Sequence, residues 1–107
     1  MVRILKVTGN SLFPLIQEGD FVIVFKIPFF LWRIFQYRPG DIIVFKHPHY
    51  GTLIKKIEWY SHNGYQYYVV GTHPESTDSR TFGLVEREWL SGKVIWHIQN
   101  PARKTPV

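Results

Sequence analysis

The sequence predicts a mainly β, antiparallel fold in a single compact domain with at most a short helical turn. Aromatic residues make up 17% of the 107 residues, and aromatic side chains pack well on the pleated surface of a sheet. Short apolar runs recur along the chain between turns that are rich in glycine, proline, asparagine and aspartate, which is typical of strands joined by tight connections. No internal repeat or linker interrupts this pattern, so one core of modest size is expected.

The apolar runs predict six strands in chain order. Residues 2–7 alternate apolar and polar side chains, as in a strand with one exposed face, whereas residues 20–26 are almost continuously apolar and predict a strand buried on both faces. Asn63-Gly64 favours the tight turn of a β-hairpin. The predicted strands cover residues 2–7, 20–26, 42–46, 52–60, 65–70 and 93–98.

Three segments outside these strands have weaker patterns. Residues 71–83 predict a long polar loop, and we expect one helical turn within residues 84–91. Residues 27–37 predict either a short helix or a strand and loop, and their aromatic side chains could belong to the core or face a membrane. We assign residues 1–99 to the folded domain and residues 100–107 to a loose C-terminal tail.

Charge and cysteine content exclude several classes of function. The formal charge of +5 would suit nucleic acid or anionic lipid. The thirteen lysines and arginines are nevertheless scattered, apart from Lys55-Lys56 and Arg103-Lys104, so we predict no nucleic-acid partner. The absence of cysteine excludes a disulfide scaffold, a thiolate metal site and a cysteine nucleophile.

The sequence also bears on the location of the protein. The first residues already contain Arg3 and Lys6 and do not resemble a signal peptide. The most apolar stretch, residues 21–35, is interrupted by Lys26, Pro28 and Arg33 and is shorter than the roughly 20 apolar residues of a spanning helix. We therefore expect a cytoplasmic or peripherally membrane-associated protein.

One serine lies on a glycine-led turn between two predicted strands. Gly9 permits backbone angles that other residues resist, so Gly9-Asn10 can direct the Ser11 hydroxyl out of the sheet. Pro14 then fixes the direction in which the chain leaves the turn. Taken alone, this stretch is better explained as a polar turn in a β-protein.

A second candidate group is a lysine among apolar residues. Because side chains alternate across a strand, Leu53, Lys55, Ile57 and Trp59 are expected on one face and Lys56 on the other, with Glu58. Burial of Lys55 would lower the pKa of its amine and allow it to act as a general base. The alternative is a lysine whose stem lies along the sheet while its ammonium reaches water.

The polar loop carries a third set of candidate groups. Asp78 and Arg80 could pair and fix the loop, and one of its hydroxyl groups could donate to or accept from a neutral amine. The histidines are weaker candidates, because His47 and His49 stand two apart across a proline without an acidic or thiol neighbour. We therefore predict no metal site.

Five motifs occur in a fixed order along most of the chain. They are Gly-Asn-Ser-Leu-Phe-Pro from Gly9, Gly19-Asp20, Pro-Gly-Asp-Ile-Ile-Val-Phe from Pro39, Ile-Lys-Lys-Ile from Ile54 and Ser-Thr-Asp-Ser-Arg-Thr-Phe-Gly from Ser76. This order resembles type I signal peptidases, which are serine–lysine endopeptidases that share a β-fold with the self-cleaving SOS repressors. The ending Gly-Lys-Val-Ile-Trp from Gly92 is most similar to the short branch of nickel-type superoxide dismutase maturation proteases.

The resemblance implies a role for each matching residue. Ser11 matches the nucleophile, Lys55 the general base and Ser76 the serine whose hydroxyl orients that lysine. Asp78 and Arg80 match the ion pair that holds the loop. The positions around the nucleophile that would bind substrate are Gly9, Asn10, Leu12 and Pro14.

Some positions depart from the family pattern. Leu12 stands where methionine is usual, which is a mild apolar exchange. Gly9 lacks the hydroxyl that some members direct at the oxyanion, so the oxyanion hole would consist of backbone amides alone. Neither a cofactor nor a metal is implied, and we expect no counterpart of the family's usual membrane anchor.

The implied partner is a precursor protein or peptide with a cleavable leader, and residues 27–37 could add a peripheral contact with a membrane. Two alternatives stay open on the same fold. A self-cleaving regulator of the repressor kind would need a DNA-binding domain and a cleavage segment before Ser11. A catalytically inactive binding module would not need the serine and lysine pair.

Overall fold

In the computed structural model, which describes residues 2–8, 16–28, 31, 37–72 and 77–99, seven strands form one antiparallel sheet. The strands are β1 (Val2–Lys6), β2 (Phe21–Phe25), β3 (Ile42–His47), β4 (Gly51–Tyr60), β5 (Gln66–Val70), β6 (Val85–Glu86) and β7 (Leu90–Ile98). Their order across the sheet is β1-β2-β7-β3-β4-β5-β6. The predicted mainly β, antiparallel, single-domain fold is thus confirmed, and six of the strands match the six predicted runs.

The last strand connects the two halves of the sheet. β7 pairs with β2 on one side and with β3 on the other, and it begins at Leu90, three residues before the predicted start. At Gly92 this strand lies close to β2, because a Cβ atom there would lie 2.5 Å from Cγ1 of Val24 and 2.8 Å from the carbonyl oxygen of Phe25. Only glycine lets the two backbones approach so closely.

The core consists of two apolar clusters on opposite faces of the sheet. Because side chains alternate along a strand, Ile43 and Phe45 of β3 lie on one face of the sheet and Val44 lies on the other. Residues that pair directly across two strands share a face. The larger cluster contains Ile27, Tyr37, Ile43, Phe45, Ile57, Tyr67, Val69, Val85 and Leu90. The smaller cluster contains Val7, Ile16, Val22, Val24 and Val44.

The second strand is buried on one face, so the expectation of burial on both faces was wrong. Val22 and Val24 are almost fully buried in the smaller cluster, whereas Phe21, Ile23 and Phe25 are only half-buried. The physical reason is the position of β2 next to the edge strand β1. There the face that carries Ile23 is covered less completely than the same face in the middle of the sheet.

The predicted hairpin between β4 and β5 is present. Gly64 has a φ of 71° and donates its N–H to the carbonyl of Ser61 at 2.9 Å. The N–H of Ser61 in turn donates to the carbonyl of Gln66 at 3.0 Å. Glycine supplies the left-handed conformation that this turn requires, which explains the Asn-Gly signal in the sequence.

Among the described residues between β5 and β7 there are two short helical segments. The predicted helical turn is the 3₁₀ turn Arg87–Trp89. The helix α1 (Ser79–Phe82) lies where the sequence predicted only loop. Within the described residues, no helix has the length and apolar character needed to cross a membrane.

Candidate active site

Lys55 lies in the middle of β4 and is buried among apolar residues. Its exposed fraction is 2%, and its direct partner across the strand pair is Ile43, which is fully buried. On the same strand face, Ile57 belongs to the larger apolar cluster and Leu53 packs against it. A lysine amine in such surroundings is separated from the water that stabilises its charge.

The surroundings of Lys55 lower the pKa of its amine. Burial lowers the pKa of Lys55, the charge of Asp78 raises it, and the charge of Arg80 lowers it again, so that the net direction is downward. Among the described residues, no carboxylate lies within ion-pair distance of the Lys55 amine. By contrast, Lys93 lies on the same face and is paired with Asp41 at 3.4 Å.

The two adjacent lysines lie on opposite faces of β4. Lys55 pairs with Ile43, which belongs to the larger cluster. Lys56 pairs with Ile42, which packs against the smaller cluster on the other face. Lys56 is also less deeply buried than Lys55. The alternation expected from the sequence therefore separates these lysines as predicted.

The expectation that Trp59 shares the face of Lys55 was wrong. The register of β4 against β5 shifts between Ile57 and Trp59, so that one residue is inserted into β4 at this point. Trp59 consequently pairs with Tyr68 and stacks on its ring, with the ring planes 8° apart. Such a bulge reverses the face that follows it, and Trp59 is 46% exposed.

Asp78 and Arg80 form a two-point ion pair at the end of the loop. The guanidinium donates from Nε to Oδ1 at 3.0 Å and from Nη2 to Oδ2 at 2.8 Å. The Asp78 carboxylate also accepts the backbone N–H of Gly71 at 2.9 Å and of Arg80 at 3.0 Å. These bonds cap α1 and attach the loop to the end of β5.

Ser79 provides a second attachment of the same segment to the sheet. It is 4% exposed, and its Oγ accepts the N–H of Val69 at 2.8 Å. One turn later, Phe82 packs edge-on against Phe45, with 6.2 Å between ring centroids. Since Phe45 pairs with Leu53, α1 lies over the sheet face that carries Lys55.

The ends of the segment that contains Ser11 are joined by backbone bonds. The N–H of Val7 donates to the carbonyl of Asp20 at 2.7 Å, and the N–H of Gly19 donates to the carbonyl of Val7 at 2.9 Å. Asp20 is fully buried, and its Oδ2 lies 2.7 Å from Nε2 of His97 on β7. The two ends of the segment are thus held next to the sheet.

Six predicted site residues lie outside the described residues. They are Gly9, Asn10, Ser11, Leu12, Pro14 and Ser76. The structure therefore brings together Lys55, Asp78 and Arg80 on one side of the sheet and fixes the chain shortly before and after the segment with Ser11. The roles implied for all of these residues stay predictions.

His47, which was considered for metal binding, makes contacts that stabilise the fold. His47 is buried, and its Nδ1 accepts the N–H of His49 at 3.0 Å and of Tyr50 at 3.3 Å. Phe82 and Trp89 contact its ring. Burial, and to a lesser degree His49, lowers the pKa of His47. The two bonds to its Nδ1 fix the turn between β3 and β4. Within the described ranges, no cluster of His, Asp and Glu is arranged to hold a metal.

The described part of the aromatic stretch 27–37 contributes to the core. Ile27 is 4% and Tyr37 5% exposed, and Leu31 packs against the larger cluster. Tyr37 meets Tyr67 edge-on, with 6.0 Å between ring centroids. Residues 29–30 and 32–36 lie outside the described residues, so the contact with a membrane that was proposed for this stretch stays a prediction.

Sequence reasoning missed the pair of Asp20 and His97 and the contact of Ser79 with Val69. Asp20 and His97 stand 77 residues apart, and local patterns do not reveal such partners. The Gly19-Asp20 motif was a usable signal, because a carboxylate just before an apolar strand needs a partner if it is buried.

Comparison with models of protein families and with curated proteins finds no significant match for this chain.

Proposed function

We propose that this chain is a serine endopeptidase in which Ser11 is the nucleophile and Lys55 the general base. The observation that carries the proposal is the burial of Lys55 at 2% exposure on an apolar face, with the pKa of its amine lowered by that burial. A lowered pKa increases the share of neutral amine at a given pH, and only the neutral amine can accept a proton. The order of motifs around Ser11 and Lys55 supports the same assignment.

The proposed reaction begins with proton transfer from the Ser11 hydroxyl to the neutral Lys55 amine. The serine oxygen attacks a peptide carbonyl, and backbone amides of the Ser11 turn stabilise the oxyanion, each by about 3 kcal/mol. The Lys55 ammonium then gives its proton to the departing amine, and the carbon–nitrogen bond breaks. An ester between Ser11 and the acyl part of the substrate remains.

The second half of the reaction releases the acyl product. Lys55, neutral again, takes a proton from a water molecule that attacks the ester. The tetrahedral intermediate collapses, the serine oxygen leaves with the proton from Lys55, and the product acid is released. Ser76 is assigned to orient the amine through a hydrogen bond. The Asp78–Arg80 pair is assigned to hold the loop that contains Ser76 against β5.

The proposed substrate is a precursor whose leader or pro-segment is removed. The resemblance implies a small residue just before the cleaved bond and a small or branched residue two positions earlier. Contact with a membrane through residues 27–37 is the second part of the proposal. Because Ile27 and Tyr37 are buried, the other residues of the stretch would have to make that contact.

The test is cleavage of a library of extended peptides, with mass spectrometry of the products. We expect new termini after small residues with the wild-type chain, and at least a roughly thousandfold lower rate with Ser11→Ala. Thr8→Ala, at an exposed position just before the turn, is the matched control and should retain activity. Equal cleavage by wild type and Ser11→Ala would contradict the proposal, provided that both proteins show the same thermal unfolding.

A further inference from the structure

The first strand forms an open edge of the sheet. β1 pairs with β2 through five consecutive residues without a bulge, and in the described part of the chain no strand lies on its other side. Every second residue of such a strand directs its N–H and C=O groups away from its neighbour. The opposite edge, β6, has only two residues, which is a common way to prevent edge pairing. β1 is therefore the edge at which another strand can add.

An exposed apolar row runs from this edge across the neighbouring strands. Ile4 pairs with Ile23, and Ile23 pairs with Trp96 on β7. Ile4 and Trp96 are each 65% exposed, and Val2, on the same face as Ile4, is 58% exposed. Exposed apolar side chains at an unpaired edge favour pairing of that edge with another strand over its exposure to water.

The sequence of β1 is compatible with an antiparallel copy of itself in a register centred on Ile4. With a two-fold axis at Ile4, Ile4 of one copy lies opposite Ile4 of the other, and Arg3 lies opposite Leu5. Val2 then lies opposite Lys6, so no charged residue faces a like charge. A shift of the axis to Arg3 would place two arginines directly opposite each other, which is destabilising.

We propose that β1 is a self-association edge through which two copies of this chain pair antiparallel about a two-fold axis at Ile4. The two seven-stranded sheets become one continuous sheet, and the apolar rows of the two copies join at Ile4. The contact is isologous, because the same strand contributes to both sides and the assembly closes as a dimer. Catalysis is not required for this contact, and it stands independently of the proposed function.

The size and charge of this interface set its expected behaviour. A pair of five-residue strands buries less than the roughly 800 Å² per partner of a standard interface, so we expect dissociation in the micromolar range. Each copy carries a formal charge of +5, and the two copies repel each other. Salt screens that repulsion, so dimer formation should strengthen as ionic strength rises.

The primary test is sedimentation velocity of the full chain over a range of protein and salt concentrations. Wild type should show a monomer–dimer equilibrium, and Ile4→Lys should weaken it by roughly tenfold or more, since both copies carry the change at the axis. Trp96→Lys is the matched control, because Trp96 has the same exposure and lies in the same row but not at the edge. It should leave the dimer intact.

A covalent test reports the register. The chain has no cysteine, so an introduced cysteine can cross-link only to its copy. Directly opposed Cβ atoms lie about 4.5–5.5 Å apart in a sheet, close to the disulfide range. Ile4→Cys should therefore form a disulfide dimer on mild oxidation, and Arg3→Cys should do so much more slowly.

Four results in the absence of lipid would overturn the proposal. They are a monomer at all concentrations, an equal loss of the dimer in Trp96→Lys, cross-linking through Arg3→Cys in preference to Ile4→Cys, and a dimer that weakens as salt is added. In a separate experiment, anionic lipid vesicles are added to the same samples and binding of the protein to the vesicles is measured. Binding of monomer to vesicles through Ile4, without any dimer, would assign this edge to a lipid surface and also overturn the proposal.

Discussion

Asp78 accepts three hydrogen bonds from Arg80, one from the backbone amide and two from the guanidinium. The Asp78 side chain is fully buried, whereas the Arg80 side chain is 52% exposed. Burial raises the pKa of Asp78, but the bonds from Arg80 and from the amide of Gly71 outweigh it and lower the pKa to about 2. Asp78 is therefore bound to the end of β5 and to Arg80 as an ionised carboxylate.

Acid should weaken this attachment. The folded-state pKa of Asp78 is depressed from 3.8 to about 2, so its contribution to stability is present above pH 3.8 and is lost as the pH falls toward 2. Because Arg80 is half exposed to solvent, we expect a contribution on the order of 1 to 2 kcal/mol. Urea unfolding at several pH values should show that Asp78→Asn is less stable than wild type at pH 7 and converges with it near pH 2.

The control for this experiment is Glu18→Gln, at an exposed position, which should keep the acid dependence of wild type. A constant difference between Asp78→Asn and wild type from pH 7 to pH 2 would assign the effect to hydrogen bonding of the amide instead of ionisation.

Replacement of the other partner should leave a buried charge with fewer donors. In Arg80→Gln, the Asp78 carboxylate keeps the amides of Gly71 and residue 80 but loses both guanidinium bonds. We expect the free energy of unfolding to fall, because a buried carboxylate loses two donors. Arg80→Lys should recover only part of this loss, since lysine cannot donate in the two-point geometry. Arg38→Gln, at an exposed turn position, should change stability by less than about 0.5 kcal/mol. Equal effects at positions 38 and 80 would contradict this account.

The close approach of β7 to β2 makes a separate prediction. The Cβ of Gly92→Ala would lie 2.8 Å from the oxygen and 3.0 Å from the carbon of the Phe25 carbonyl. A backbone group can yield only if β2 shifts, so we expect a loss of roughly 1 to 3 kcal/mol, measured by urea unfolding.

The matched control is Gly51→Ala, because Gly51 has a φ of 76° and open space around the added atom. It measures the cost of the backbone conformation alone, about 1 to 2 kcal/mol. If Gly92→Ala proves as stable as wild type, the two strands are not packed as closely as the structure has them.

Local patterns were sufficient for much of the fold. Alternation placed Lys55 and Lys56 on opposite faces, because a regular strand fixes the direction of each side chain from its neighbours. The Asn-Gly turn placed the hairpin between β4 and β5, because its conformational requirement is also local. The ion pair of Asp78 and Arg80 could be predicted for the same reason, because the two residues are only two positions apart in the sequence.

Features that depend on distant residues were not predictable in this way. The bulge that turns Trp59 away from the face of Lys55 arises from pairing with β5, and nothing in β4 itself marks it. The partial exposure of β2 follows from its place beside an edge strand, which the strand order alone reveals. The pair of Asp20 and His97 joins the residue just before the second strand to the seventh strand, and their proximity results from the sheet topology.

The pH dependence of cleavage should follow the ionisation of Lys55. Burial lowers the pKa of its amine from 10.5, and only the neutral amine can accept the serine proton. We therefore expect kcat/KM to rise with pH along a single ionisation and to level off below pH 10.5. Assays of the wild-type chain on one cleaved peptide, over a pH range in which the fold is stable by circular dichroism, provide the measurement. A rate that falls throughout this range would contradict the role of Lys55 as base.

The most specific prediction distinguishes Lys55 from Lys56. Lys55→Met should remove activity, because methionine retains an unbranched apolar stem but has no basic amine. Its stability should equal or exceed that of wild type, since a depressed amine pKa means that burial of the charged lysine opposes folding, and opposes it most below the folded-state pKa. The gain in Lys55→Met should therefore shrink as the pH rises toward 10.5. Lys56→Met, the matched control on the opposite face of β4, should keep most of the activity. If Lys56→Met were inactive and Lys55→Met active, the catalytic face of β4 would be the opposite one, and the proposed pairing of Lys55 with Ser11 would be wrong.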